Sequence, residues 1–116
     1  MYYDLTKSQK KIARRVMDKG LDTDYQRGLK NAADIVERWQ KGALNNRDAY
    51  MEIFKSINDG DDIIADRYNG KGGSRWVEVM ADQLANDVIT EEDISEFNEE
   101  VQNVILIYSG KKGMDE

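Results

Sequence analysis

Apolar residues along this chain recur at helical spacing, and short polar signatures mark where each periodic stretch begins and ends. Ile12 and Val16 lie on one side of a first segment, opened by Thr6-x-x-Gln9. That pattern is a capping box, in which two side chains satisfy orphan backbone N–H groups of a first helical turn. The helix it opens is expected to run to about Lys19, with Gly20 as the left-handed residue that ends it. Thr23-x-x-Gln26 repeats the signature and predicts a second helix ending near Lys41, with Gly42 next. Asn46 is placed to cap a third helix, whose Tyr50, Ile53, Phe54 and Ile57 share one face.

Ile64 and Tyr68 continue that face, so one long helix through residue 69 is a conceivable solution. It would put Gly60 in a helix interior and Asp61 on the apolar face. Burying an unpaired carboxylate is costly. The pattern therefore favours a break at Asp59-Gly60 and a short fourth helix from Asp61. Asn69-Gly70-Lys71-Gly72-Gly73 reads as a loop, after which Ser74 can cap a fifth helix carrying Trp76, Val77, Met80, Leu84 and Val88. Its apolar arc is the widest, which predicts the most central helix.

Thr90-x-x-Asp93 is expected to open the last helix, with Ile94, Phe97, Val101, Val104 and Tyr108 forming an amphipathic seam. The run from Val104 to Tyr108 also fits a buried strand, but the seam leading into it argues for helix. The two Thr-x-x-Gln boxes are not part of an internal repeat, because the sequence between them does not recur. The expected fold class is all-α, a compact bundle of five to six short amphipathic helices. A single helical domain over 1–108 is expected, followed by a flexible C-terminal tail over 109–116.

Composition sharpens this picture mainly by exclusion. The chain of 116 residues contains no Pro, no Cys and no His. Without Pro, punctuation falls to the Gly residues. Without Cys there is no disulfide or thiolate nucleophile, and without His the commonest general base and metal ligand are missing. A Ser-His-Asp triad, an H-E-x-x-H zinc site and a Glu-x-x-His di-iron site are thereby excluded. No apolar run approaches the ~18 residues of a membrane span. The residues Met1-Tyr2-Tyr3-Asp4 do not resemble a secretory leader, and Lys111 to Glu116 carry no lipidation signal. A cytoplasmic protein with no membrane association is expected.

The protein is acidic, with a net charge of −6, but the charge is unevenly spread. Residues 1–41 hold ten basic against six acidic residues, and residues 42–116 hold seven against seventeen. Lys7, Lys10, Lys11, Arg14 and Arg15 form a basic stripe opposite Ile12 and Val16, a candidate face for an anion or an acidic partner. The simpler reading is a solvated helix side, or one matched by the acidic C-terminal segment of the same molecule. Nucleic-acid binding is expected to be weak at most, because the acidic remainder opposes phosphate and no basic-aromatic interleaving accompanies the stripe.

Two further features invite chemistry. Asp59, Asp61, Asp62 and Asp66 supply the oxygen ligands a hard cation needs, yet no EF-hand register fits them. Asp62 and Asp66 on one helix, with Glu78 and Asp82 on another, could hold Mg²⁺ and a phosphate. This is similar to all-α nucleotide pyrophosphohydrolases in residue type alone, since their paired Glu-Glu-x-x-Glu and Glu-x-x-Asp motifs are missing. Helix capping and dipole compensation explain the same Asp residues more simply. The segment Gly70, Lys71, Gly72, Gly73, Ser74, Arg75 has the backbone N–H groups and cations of a phosphate-binding loop, but it is not a Walker A sequence. It is the best candidate for a functional loop, against a plain connector.

Trp39 and Trp76 are expected in the core, whereas Tyr2 and Tyr3 suit either an exposed partner surface or a hydrophobic staple. These observations favour a small protein-interaction or regulatory module without catalytic activity or cofactor, whose partner is another protein or a second copy. The alternatives are a metal- and phosphate-dependent enzyme, using the Asp cluster and Gly loop, and a weak nucleic-acid binder acting through the basic first helix.

Overall fold

The computed structural model describes residues 2–113. Four α-helices carry the structure: α1 (Lys7–Gln40), α2 (Asn46–Tyr68), α3 (Trp76–Ala85) and α4 (Glu99–Ser109). Short 3-10 turns over Gly73–Arg75 and Glu92–Ile94 precede α3 and α4, and there is no strand among the described residues. The fold is therefore all-helical, with fewer and longer helices than the five or six expected. It is also elongated, measuring 53 × 28 × 21 Å with a radius of gyration of 17.5 Å. A compact chain of this length would have a radius of about 13 Å.

The core sits at one end. Leu5, Ala13 and Val16 pack with Val77, Met80, Ala81 and Leu84 of α3, and with Val101 and Ile105 of α4. Ile89, Ile94 and Phe97, from the segment joining α3 to α4, close it. As its wide apolar arc predicts, α3 is central, touching each of the other three helices. We call this end the base. Beyond it, the C-terminal half of α1 and most of α2 project as a helical hairpin, the arm.

Two helix breaks anticipated above do not occur. At Gly20, α1 runs straight through, and Thr23 is mid-helix, its Oγ1 donating to the Lys19 carbonyl instead of capping. Gly20 is there for closeness: a Cβ would lie 2.1 Å from Gln83 Nε2, whose side chain lies against the α1 backbone. At Asp59-Gly60, α2 is also continuous. The expected break rests on the cost of burying Asp61, but that side of α2 is open and Asp61 is exposed, so the penalty never arises.

Caps explain the remaining boundaries. The Thr6 box forms as expected, with Gln9 N donating to Thr6 Oγ1 at 3.2 Å and Thr6 N to Gln9 Oε1 at 2.8 Å. α1 ends before Gly42, which takes φ +83°. Asn45, one residue before the expected cap, caps α2 by accepting from Asp48 N. Ser74 caps nothing: it lies inside a 3-10 turn, its carbonyl accepting from Tyr3 N at 2.8 Å.

Thr90 and Asp93 do form their reciprocal box, but it encloses only a 3-10 turn. Gln102 Nε2 then holds the following bend, donating to the Ser95 and Phe97 carbonyls, and Asn98 caps α4. Gly110, at φ +82°, ends α4, and the Lys111 and Lys112 N–H groups bond the Leu106 carbonyl. Of the tail expected over 109–116, residues 114–116 lie outside the described residues. No helix among the described residues is long and apolar enough to cross a membrane.

Candidate interaction surface

A buried polar junction fixes the arm to the base. Arg67, near the end of α2, donates from Nε and Nη2 to Asp24 of α1 at 3.1 and 3.2 Å. Its Nη1 reaches Asp82 of α3 at 2.8 Å. Tyr68 Oη donates to Asp24 at 2.7 Å and accepts from Gln83 Nε2 at 2.8 Å. Gln83 also donates to the Met17 carbonyl. Arg67 and Asp24 are 6% and 7% exposed, so each charge depends on the other for compensation. Burial disfavours the Arg67 cation, yet Asp24 and Asp82 outweigh it and hold its pKa above the usual value. Burial and the bond to Asp24 push the Tyr68 phenol far above its ordinary range, so it remains a donor at all ordinary pH. Beside this junction, Arg27 donates to the Asn86 and Asp87 carbonyls at 2.8 and 3.0 Å.

Beyond the junction, α1 and α2 enclose little of each other. Ile35 and Ala49 are buried between them, and Gly28 and Gly60 have nothing within 4 Å of where a Cβ would stand. The hairpin consequently has two unlike grooved faces. One carries a groove of about 500 Å³ that mixes charged and apolar lining, Arg27, Asn31, Glu52, Lys55, Ser56 and Asp59 with Ile35, Ile63 and Ile64. Its charges are largely committed: Lys55 to Asp59 at 2.7 Å, Glu52 to Arg38 at 2.8 Å, and Arg27 as above.

The other face is apolar. Tyr25, Leu29, Ile57 and Ile64 line a groove of about 310 Å³. Val36, Trp39, Ala49, Tyr50 and Ile53 line a second one of similar size. Tyr50, Phe54 and Ile57 form a continuous ridge on α2, being 73%, 59% and 41% exposed, and Leu29 is 67% exposed. Isolated exposed apolar residues are ordinary, but a contiguous set on one face marks a binding surface in a folded protein. Trp39, expected in the core, stands at the tip of this face, its indole N–H donating to Asn46 Oδ1 at 2.8 Å.

The basic stripe of α1 lies at the base, away from this face. Arg15 pairs with Glu96 at 2.7 Å, and Lys19 with Asp93. Arg14 stacks on Trp76, 5.2 Å from the ring centroid, and Trp76 is packed against the core as expected. Lys7 and Lys11 are exposed, and Lys10 runs beside Gly73. The structure thus brings the stripe next to the Gly-rich loop.

The cations of that loop are engaged internally. Lys71 Nζ caps α2 through the Asp66 and Arg67 carbonyls, and Arg75 forks onto Glu78 at 2.5 Å. That bond leads the effects holding the Glu78 carboxyl down at about 2. Arg75 also lies over Tyr2, while Tyr3 packs against the core and donates to Glu100 at 2.7 Å.

Asp59, Asp61, Asp62 and Asp66 of α2 do not converge. Asp66 shares a shallow depression with Glu78 and Asp82, but Arg67 and Lys71 occupy it too. No group of three or more potential metal ligands exists among the described residues. No protein family, curated protein or solved structure matches this chain.

The surface that sequence reasoning missed is therefore the ridge of Tyr50, Phe54 and Ile57. Its periodicity was visible, but periodicity implies a covering element without naming one. Asp61 was the usable signal. A carboxylate at the end of an apolar stripe argued for a break, when it equally marks a stripe that faces water.

Proposed function

We propose that this chain is a protein-interaction module that binds through the apolar face of its helical arm and has no catalytic chemistry of its own. The observation that carries this reading is the alignment of Tyr25, Leu29, Tyr50, Phe54 and Ile57 on one side of a projecting hairpin, each of them exposed or only half-covered. Burying apolar surface stabilises a complex by roughly 25 cal/mol per Å² before association costs, and exposed aromatics contribute most of such area. The fold supports the role mechanically, because the buried Asp24–Arg67 pair holds the arm in one orientation.

Replacing Phe54 by a photo-crosslinking residue in cells that make the protein tests the reading. Lys30, exposed on the arm but off the apolar face, serves as the control position. A discrete protein adduct at position 54 that is missing at position 30 is expected. No adduct at 54, or equal labelling at both positions, overturns the proposal.

A further inference from the structure

We infer that the occupant of this face is a second copy of the chain, docked antiparallel along α2 about a two-fold axis at Phe54. The inference rests on the interaction reading above and identifies its partner. Seven residues are nearly two helical turns, so positions seven before and seven after Phe54 return to within about 20° of its own direction. Those positions are Arg47 and Asp61. Both are exposed, and neither has an ion-pair or hydrogen-bond partner among the described residues.

The ridge is thus bounded by a lone cation at one end and a lone anion at the other, each about 10.5 Å along the axis from Phe54 at 1.5 Å per residue. An antiparallel second α2 centred on Phe54 sets Arg47 against Asp61 of the second copy, and Asp61 against its Arg47. The same symmetry faces Met51 with Ile57, and Phe54 with itself. A parallel arrangement would oppose like charges at both ends, so the pattern selects one orientation as well as one partner.

The area is of the right order. At about 200 Å² per aromatic side chain, the exposed parts of Tyr25, Tyr50 and Phe54 offer on the order of 400 Å² per copy. With Leu29, Met51 and Ile57 added on both copies, the total approaches the roughly 1,200 Å² at which stable interfaces begin.

Sedimentation velocity on the full chain over a range of concentrations, with circular dichroism as the folding control, tests this directly. Wild-type protein is expected to dimerise, and Phe54→Glu to be monomeric with unchanged helicity. Arg47→Asp and Asp61→Arg alone should each weaken the dimer about tenfold or more, since each leaves like charges opposed at both ends. The double variant, with the two charges exchanged, should recover wild-type affinity to within a few-fold. A wild-type monomer at on the order of 10⁻⁴ M, a dimer indifferent to Phe54→Glu, or an exchanged variant that fails to recover overturns the inference. If the protein is monomeric while position 54 still crosslinks to a different protein, the second copy is refuted and the interaction reading stands. If neither occurs, both fall.

Discussion

The base and the arm are built from the same kind of helix, yet they treat their apolar residues in opposite ways. In the base, Val77, Met80 and Leu84 of α3 are wholly enclosed, because α1 and α4 cover them from different sides. In the arm, α2 carries Tyr50, Phe54 and Ile57 at equally regular spacing, but α1 beside it buries Ala49 and leaves those three largely exposed. Amphipathicity states which side of a helix is better off covered. It says nothing about whether the same chain supplies the cover. The junction of Asp24, Arg67 and Asp82 is where one regime passes into the other.

Loss of that junction should have the largest effect. Arg67→Met leaves Asp24 buried without its cation and should cost about 3–5 kcal/mol in chemical denaturation. Hydrogen exchange should rise most in the arm, at residues 55–68, because the arm depends on this anchor while the base retains its apolar core. A loss below about 1 kcal/mol, or a uniform rise in exchange, would mean that the junction is not what holds the arm.

A smaller but cleaner contrast comes from equivalent truncations at the two ends. Met80→Ala should cost about 2–5 kcal/mol, since a fully enclosed side chain leaves a cavity. Phe54→Ala, measured at dilution where the chain is monomeric, should stay within about 0.5 kcal/mol, as expected for an exposed site. Equal losses would show that the ridge is covered within the monomer.

Three glycines in helix interiors should respond to Ala with different signs. Gly20→Ala forces a Cβ onto Gln83 and should destabilise the fold by about 1–3 kcal/mol. Gly60→Ala and Gly28→Ala meet nothing within 4 Å and should each stabilise by about 0.5–1 kcal/mol. Thermal melts of the three variants decide it, and a stabilising Gly20→Ala would refute the account of why α1 carries a glycine there.

The helical class, the Thr6 cap, the stop at Gly42, the turn after Asn69 and the central place of α3 are all legible in local pattern. Each of these depends on residues within about one turn of one another, or on an apolar arc too wide to leave uncovered. The roles of Gly20, Asp61 and the Tyr50–Ile57 ridge follow instead from how distant segments pack. Gly20 has the local signature of a helix end, but Gln83, far along the chain, lies against it and needs the missing Cβ. Asp61 looked like a break until the face beside it proved open. The candidate surface was legible as a stripe and illegible as a surface, because exposure depends on which distant segments fail to arrive. Local pattern encodes the preference of a side chain for cover, whereas the cover itself is set by the packing of elements that pattern does not connect.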